Sequence, residues 1–299
     1  MFKFKGSEAK SWIWILPSML IYLGERFIRF IRGLKKHRII NYKIHPSSVL
    51  ELSIENSASH RINYRAGQYL YLNINVLAFF EWHPFTITSA PSDTTLTVHI
   101  RCEGDWTSRL LKEIEQTNSK INSISIDGPY GTCAEDVFKY SKIVLIGAGI
   151  GITPYSSILR HIWYISKNSN EIKLKKIYFF WVCPSIDTFE WFGILLQELE
   201  IEMKKKHKED LLEYKLYLTR GWSLKEAKQI AVNHSDQFDL FTGLKQKTNY
   251  GRPNFEQFFN RLADNNTETI KEEIGVFFCG PKSLSKDIHS LCNKYFKKL

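Results

Sequence analysis

Between about residues 40 and 135, apolar and polar residues alternate in short stretches broken by Gly, Pro, Asn and Asp. The stretches are Val49–Ile54, Tyr69–Ile74, Phe85–Thr88, Leu96–Arg101 and Ile124–Ile126, and their spacing predicts a small antiparallel β-barrel. Beyond Lys142 the pattern changes. The segments 142–146, 176–182, 214–218 and 275–278 are continuous apolar runs, as parallel strands buried on both faces require. Helical periodicity fills the intervals near 154–166, 187–206, 223–232 and 254–264. That alternation predicts a doubly wound α/β unit. The expected architecture is α+β and two-domain: an arm over residues 1–40, a barrel over 41–137 and an α/β domain over 138–299.

The arm carries its own pattern. Trp12 to Gly24 is a run of thirteen uncharged residues containing Pro17. A membrane-crossing helix needs roughly 18 to 20 apolar residues, so this run is too short to cross a bilayer unaided. A secretory signal is a poorly supported alternative, because no small-residue cleavage site follows and basic residues come next. From Arg26 onwards Phe27, Ile28, Phe30, Ile31 and Leu34 form an apolar helical stripe, with Arg29, Arg32, Lys35 and Lys36 largely opposite. Two destinations are open to such a helix: an anionic membrane surface or the protein's own body.

Charge sharpens that reading. The 299 residues hold 41 Lys+Arg and 31 Asp+Glu, a net charge of +10, and the first 43 residues account for +8 of it. The remainder is nearly neutral, which argues against nucleic acid as a partner. A composition with 43% hydrophobic and 24% charged residues excludes collagen-like and disordered classes. The five cysteines are widely spaced with no C-x-x-C pair, so neither a disulfide framework nor a zinc or other metal site is expected, and their usage fits a reducing compartment.

Three segments carry candidate chemistry. Gly147-Ala-Gly149-Ile-Gly151-Ile-Thr153-Pro154 lies between a predicted strand and a predicted helix. Glycines there let backbone approach a pyrophosphate, and the following helix N-terminus offers unpaired N–H groups. The spacing is G-x-G-x-G, and a glycine-rich turn alone is weak evidence. The second segment, His83-Pro84-Phe85-Thr86 and its continuation to Pro91, supplies an aromatic face and hydroxyls. The third, His99-Ile100-Arg101-Cys-Glu-Gly104-Asp-Trp106-Thr107, supplies an arginine and a short turn. An edge strand with a satisfied histidine and a solvated arginine would account for either one taken singly.

Together and in order, these segments resemble one family. With Gly67-Gln-Tyr69, Asp127-Gly-Pro-Tyr-Gly131, Phe189-Glu-Trp-Phe192, Gly243 to Thr248, Tyr250-Gly-Arg-Pro-Asn254 and Phe278-Cys-Gly-Pro281, they look like the dehydrogenase half of the NADPH oxidases. These belong to the ferredoxin–NADP reductase superfamily. The resemblance runs from about Trp12 to Pro281. It implies that the barrel binds FAD, with His83, Pro84, Phe85 and Thr86 lining the isoalloxazine, Thr86 near its N5, and His99, Ile100, Arg101, Trp106 and Thr107 reaching the diphosphate and adenosine. It further implies that Gly147, Gly149, Gly151, Thr153 and Pro154 cradle the NADPH pyrophosphate, with Cys279, Gly280 and Pro281 approaching the nicotinamide. Thr86 and Cys279 would then flank the hydride transfer from nicotinamide to flavin.

The family's acceptors are haems in a membrane domain, with superoxide as the final product. By resemblance, the partners are that haem-bearing domain or the membrane surface, with cytosolic activator subunits, and the location is the cytosolic face of a membrane. No calcium-binding EF-hand loop occurs in this sequence. The segment with the haems is not within these 299 residues, and the arm resembles the end of a last transmembrane helix and its juxtamembrane link. A stand-alone ferric or flavin reductase, or a non-catalytic membrane-surface module, are the alternatives. Pro184 stands where the family often has an arginine for the NADPH 2′-phosphate, leaving Ser185, Arg220 or Arg252 to compensate. The sequence ends three residues after Phe296, which a predicted helix contains, so a flavin more exposed than in the family is expected.

Overall fold

The computed structural model describes residues 11–56, 61–116, 121–168, 173–219, 239, 242–267 and 273–296. Strands β1 (Lys36–His45), β2 (Val49–Glu55), β3 (Tyr69–Asn73), β4 (His83–Thr86), β5 (Thr95–Arg101) and β6 (Ser123–Tyr130) form one antiparallel sheet in the order β4-β3-β6-β1-β2-β5. The sheet closes on itself beyond the end of β4. There Ile87 bridges Val98, and Thr88 N–H donates to the Thr97 carbonyl at 2.8 Å. Strict alternation drives the closure: Leu50, Leu52 and Ile54 of β2 and Leu96, Val98 and Ile100 of β5 are wholly buried inside, while Glu51, Ser53, Thr97 and His99 face outward. Helix α2 (Asp105–Glu115) plugs the barrel with Trp106, Leu110 and Ile114.

Strand β1 gives no sign of itself in the pattern. It begins at Lys36, inside the stretch expected to be arm, and its apolar residues Ile40, Tyr42 and Ile44 lie on the exposed face. Backbone pairing to β2 and β6, rather than burial of its side chains, makes it a strand.

The second unit is a five-stranded parallel sheet, β7 (Lys142–Ala148), β8 (Lys176–Cys183), β9 (Leu212–Leu218), β10 (Asn249–Tyr250) and β11 (Ile274–Cys279), in the order β10-β9-β8-β7-β11. The central strands β7 and β8 are buried on both sides, as their continuous apolar runs require, whereas β9, with Glu213 and Lys215, alternates and β11 is mostly half-buried. Ile143, Leu145, Phe179 and Trp181 pack against helices α3 (Thr153–Asn168) and α4 (Glu190–Lys205). Val144, Ile146 and Phe180 pack against α5 (Phe255–Thr267) and α6 (Lys282–Phe296). Strand order reverses at β7, so a crevice opens where the carboxyl ends of β7 and β11 diverge. The helix expected near 223–232 lies outside the described residues.

The arm is a single helix, α1 (Ser11–Leu34), with Pro17 inside its second turn. Among the described residues no helix is long and apolar enough to cross a membrane. Of the two destinations left open by the sequence, the last turns take the protein's own body. The last turns sit on the barrel: Arg32 and Arg29 approach the buried Asp127 carboxylate at 3.4 and 3.7 Å, and the Arg29 guanidinium lies over the rings of Tyr71 and Tyr130. Gly33 abuts Trp82 so closely that an added Cβ would meet its ring at 2.9 Å. Two of the expected membrane-facing arginines are thus turned to the protein. The earlier turns expose Trp12, Trp14, Ile15, Leu20, Ile21 and Tyr22 around the whole helix circumference.

Candidate functional site

Serines on the first turn of α3 seat the α/β domain on the barrel. Ser157 Oγ donates to the Ser89 carbonyl at 2.6 Å and Ser156 Oγ to the Thr88 carbonyl at 3.3 Å. This contact brings β4 of the barrel opposite the crevice between β7 and β11. The result is a cavity of about 240 Å³ with Tyr69, Pro84, Phe85 and Thr86 on the barrel side and Pro154, Tyr155, Phe278 and Cys279 on the other. Thr86 and Cys279, separated by 193 positions in the chain, line one space.

The loop that follows β7 is built for close approach. Gly149 has φ +54°, a left-handed conformation glycine adopts without strain. A Cβ on Gly151 would lie 2.3 Å from the Cys279 carbonyl oxygen, so only glycine lets this loop and the end of β11 meet. Trp181 Nε1 donates to the Gly149 carbonyl at 3.1 Å and fixes the loop from below. Thr153 and Pro154 open α3 directly after a 3-10 turn over Gly149–Ile152; Thr153 N–H donates to the Ile150 carbonyl, and proline's missing N–H costs nothing at this position. Gly147 ends the apolar part of β7, and Gly280 and Pro281 join β11 to α6.

On the barrel side Arg101 reaches across the seam. Its Nη1 lies 3.6 Å from where a Cβ of Gly149 would be, and its Nη2 pairs with Glu103 at 2.6 Å. Thr107 Oγ1 accepts from Gly104 N–H at 3.0 Å and donates to the Gly104 carbonyl at 2.9 Å, which squares off the N-terminus of α2 beside it. A guanidinium and a free helix N-terminus make a place for a diphosphate.

Other expected residues lie elsewhere. Ile100 points into the barrel core, and Trp106 is 4% exposed beneath His83, whose ring stacks on it at 4.3 Å. His83 itself is outside the cavity, 3.3 Å from Glu81. The His99 ring is enclosed between Trp191 of α4 at 4.1 Å and His45 at 5.7 Å, and burial pushes its pKa down to about 3. Ser185 Oγ shares contacts with Thr188 at 3.1 Å and with Ser47 of the barrel at 3.4 Å. Arg252 is exposed after β10, and Arg220 lies outside the described residues, as does the Phe296 side chain. Burial raises the pKa of Cys279, which keeps it a neutral thiol.

Sequence reasoning passed over Tyr155, Cys133 and Trp181. Tyr155 and Cys133 line the cavity, and Trp181 holds the loop. Trp181 sits inside an apolar run that reads only as a buried strand, so nothing local marks its indole N–H as a loop support.

Comparison with known proteins decides what this arrangement is. Residues 140–293 match the ferric reductase NAD binding domain, and residues 34–134 match an FAD-binding domain. The chain belongs to the ferric reductase NAD-binding family. It is also a homologue of the NADPH oxidases: it is 44% identical over 293 residues to NADPH oxidase 1 of Mus musculus, covering 98% of this chain and 48% of that protein. NADPH oxidase 3 of Homo sapiens is 40% identical, covering 98% and 52%, and a superoxide-generating NADPH oxidase heavy chain of Dictyostelium discoideum is 39% identical, covering 98% and 43%. The chain spans about half the length of the curated relatives it matches. Among solved structures, a ferredoxin NADP+ reductase from Neisseria gonorrhoeae with bound FAD and NADP shares the fold, with a TM-score of 0.61 at 15% identity, covering 88% of this chain and 91% of that one. The chain is thus an oxidoreductase unit made of an FAD-binding barrel and an NAD(P)-binding α/β domain.

Proposed function

We propose that this chain is the dehydrogenase part of a superoxide-generating NADPH oxidase, taking electrons from NADPH into FAD and passing them towards haem in a membrane domain. The observation that carries the proposal is the meeting of Thr86 and Cys279 in one cavity at the seam between the FAD-binding and NAD(P)-binding domains. When bound, the two cofactors supply hydride transfer from nicotinamide to flavin. The chain's residues hold and orient. Arg101 and the N-terminus of α2 bind the FAD diphosphate, Phe85 lies against the flavin and Thr86 holds its N5 edge. The 147–154 loop and the N-terminus of α3 bind the NADPH pyrophosphate, and Cys279 closes the nicotinamide side without water. The arm expected over residues 1–40 gives up its last residues to β1, so we place the FAD domain from Lys36 to residue 137 and the NADPH domain over 138–299. Anaerobic addition of NADPH to the FAD-loaded chain is expected to bleach the flavin absorbance. A flavin that stays oxidised with NADPH but bleaches with dithionite would refute the proposal.

Arg252 is proposed to receive the NADPH 2′-phosphate in place of the family arginine that Pro184 replaces, with Ser185 and Arg220 as the alternatives for that role. Arg252→Ala is expected to lower kcat/KM for NADPH about tenfold and leave NADH unchanged, since one exposed charge-assisted contact is worth roughly 1.4 kcal/mol. Equal effects on both nucleotides would remove Arg252 from this role.

The exposed turns of α1 are proposed to face the haem-bearing domain or the cytosolic leaflet, the location we assign to the chain, within reach of cytosolic activator subunits. A helix apolar on all sides is at home in lipid or among other helices. The full chain is expected to float with anionic vesicles, and a Trp12→Ser/Trp14→Ser variant to stay in the aqueous layer. Equal flotation of both would show that α1 does not carry the attachment.

A further inference from the structure

Three ligating groups converge on the outer face of the barrel, beside the seam with α4, and the cavity does not use them. His45 ends β1, Glu51 lies on β2 and His99 on β5, where Glu51 and His99 are direct cross-strand partners. Glu51 Oε2 is 2.8 Å from His45 Nε2 and 3.6 Å from His99 Nε2, and one ligand atom from each of the three residues lies within 4.8 Å of the others. Donors bound to zinc at 2.0–2.1 Å in a tetrahedron stand about 3.3 Å apart, a spacing these distances bracket.

The surroundings suit a metal as well as the spacing does. Thr88 Oγ1 is 2.8 Å from His99 Nδ1, the outer contact that fixes a ligating imidazole and turns its other nitrogen to the ion. His99 is clamped between Trp191 and His45, so its ring does not swing away. With Nδ1 protonated towards Thr88, its Nε2 lone pair faces a carboxylate oxygen, and a cation between them removes that repulsion. His45 Nδ1 is buried without a hydrogen-bond partner, so ligation through Nε2 leaves the Nδ1 proton unpaired, a cost that the metal bond must offset. The Glu51 side chain is 27% exposed, which leaves an entry path and room for a water as fourth ligand. Nothing in the cysteine count or in local spacing marks the site, because its ligands come from three strands.

We propose that His45, Glu51 and His99 bind one zinc-class divalent transition metal ion. The ion ties β1, β2 and β5 together and, through the stack of His99 on Trp191, stiffens the seam on which Arg101 stands. The test uses the full chain loaded with FAD, stripped by a chelator and titrated with Zn²⁺ or Co²⁺. One ion per chain should survive gel filtration, Co²⁺ should give the strong visible bands of a four-coordinate site, and Zn²⁺ should raise the melting temperature. His45→Gln should weaken binding at least tenfold. An ion lost on gel filtration, a pale six-coordinate Co²⁺ spectrum, or equal retention by His45→Gln would each overturn the proposal, leaving a hydrogen-bonded His–Glu–His cluster. Should His45→Gln fail to fold, the Co²⁺ spectrum of the unaltered chain still decides.

Discussion

Gly151→Ala is expected to weaken NADPH binding by about 10- to 100-fold while leaving FAD in place. The added Cβ would sit 2.3 Å from the carbonyl oxygen of Cys279 and 2.8 Å from its carbonyl carbon. Both are backbone atoms, so no side-chain rotation relieves the clash. Either the 147–152 turn lifts or the end of β11 retreats, and both walls belong to the crevice that takes the nucleotide. Overpacking of this kind costs about 1–3 kcal/mol, which as lost affinity is roughly a factor of 5 to 150. The atoms nearest the added Cβ all belong to Cys279 and none to the barrel, so flavin content after gel filtration should match the unaltered chain and dithionite should still bleach it. The measurement is a titration of NADPH against the rate of anaerobic bleaching. Half-saturation at an unchanged NADPH concentration would show that the loop does not hold the nucleotide.

That clash also shows where the sequence is informative and where it is silent. The spacing of three glycines after an apolar run reveals a tight strand-to-helix turn, but not that one of them faces the end of a strand more than 120 residues later. Strand identity in the α/β domain is legible because parallel strands buried on both faces need unbroken apolar runs, and β7, β8 and β11 have them, while β9 shows itself by alternation around Glu213 and Lys215. Strand β1 is illegible for the opposite reason, since Ile40, Tyr42 and Ile44 face solvent and mimic a continuation of the apolar arm. Phe85, Thr86 and Cys279 stand out through motifs, whereas the enclosed ring of His99 does not, because alternation on β5 gives only an outward face and not what covers it. The arginines of α1 carry the same lesson. A basic stripe reads as solvent- or lipid-facing, yet Arg29 and Arg32 serve Asp127, a buried carboxylate whose partner Tyr130 donates to it at 2.6 Å. Burial and that contact push the Tyr130 hydroxyl up to about 12, so it remains a donor at every physiological pH.

The second large effect is expected at Trp181, the side chain that joins core and loop. It is wholly buried, packs edge-on against Phe189 at 5.0 Å and Phe192 at 5.3 Å, and donates its indole N–H to Gly149. Trp181→Ala removes a large ring from the centre of the α/β domain and is expected to cost about 3–5 kcal/mol, a large part of the 5–15 kcal/mol typical of a folded domain. Trp181→Phe separates the two roles. It keeps most of the apolar volume, loses the hydrogen bond to the Gly149 carbonyl, and should cost only about 1 kcal/mol of stability. Its effect on the nucleotide should be disproportionate, because Gly149 holds its left-handed conformation between that bond and the approach of Arg101. Thermal melts and NADPH titrations of both variants distinguish these expectations. If Trp181→Phe melts with the unaltered chain and binds NADPH equally well, the indole fills space and does not position the loop. If it melts normally and binds several-fold more weakly, the strand core and the phosphate loop are coupled through a single N–H.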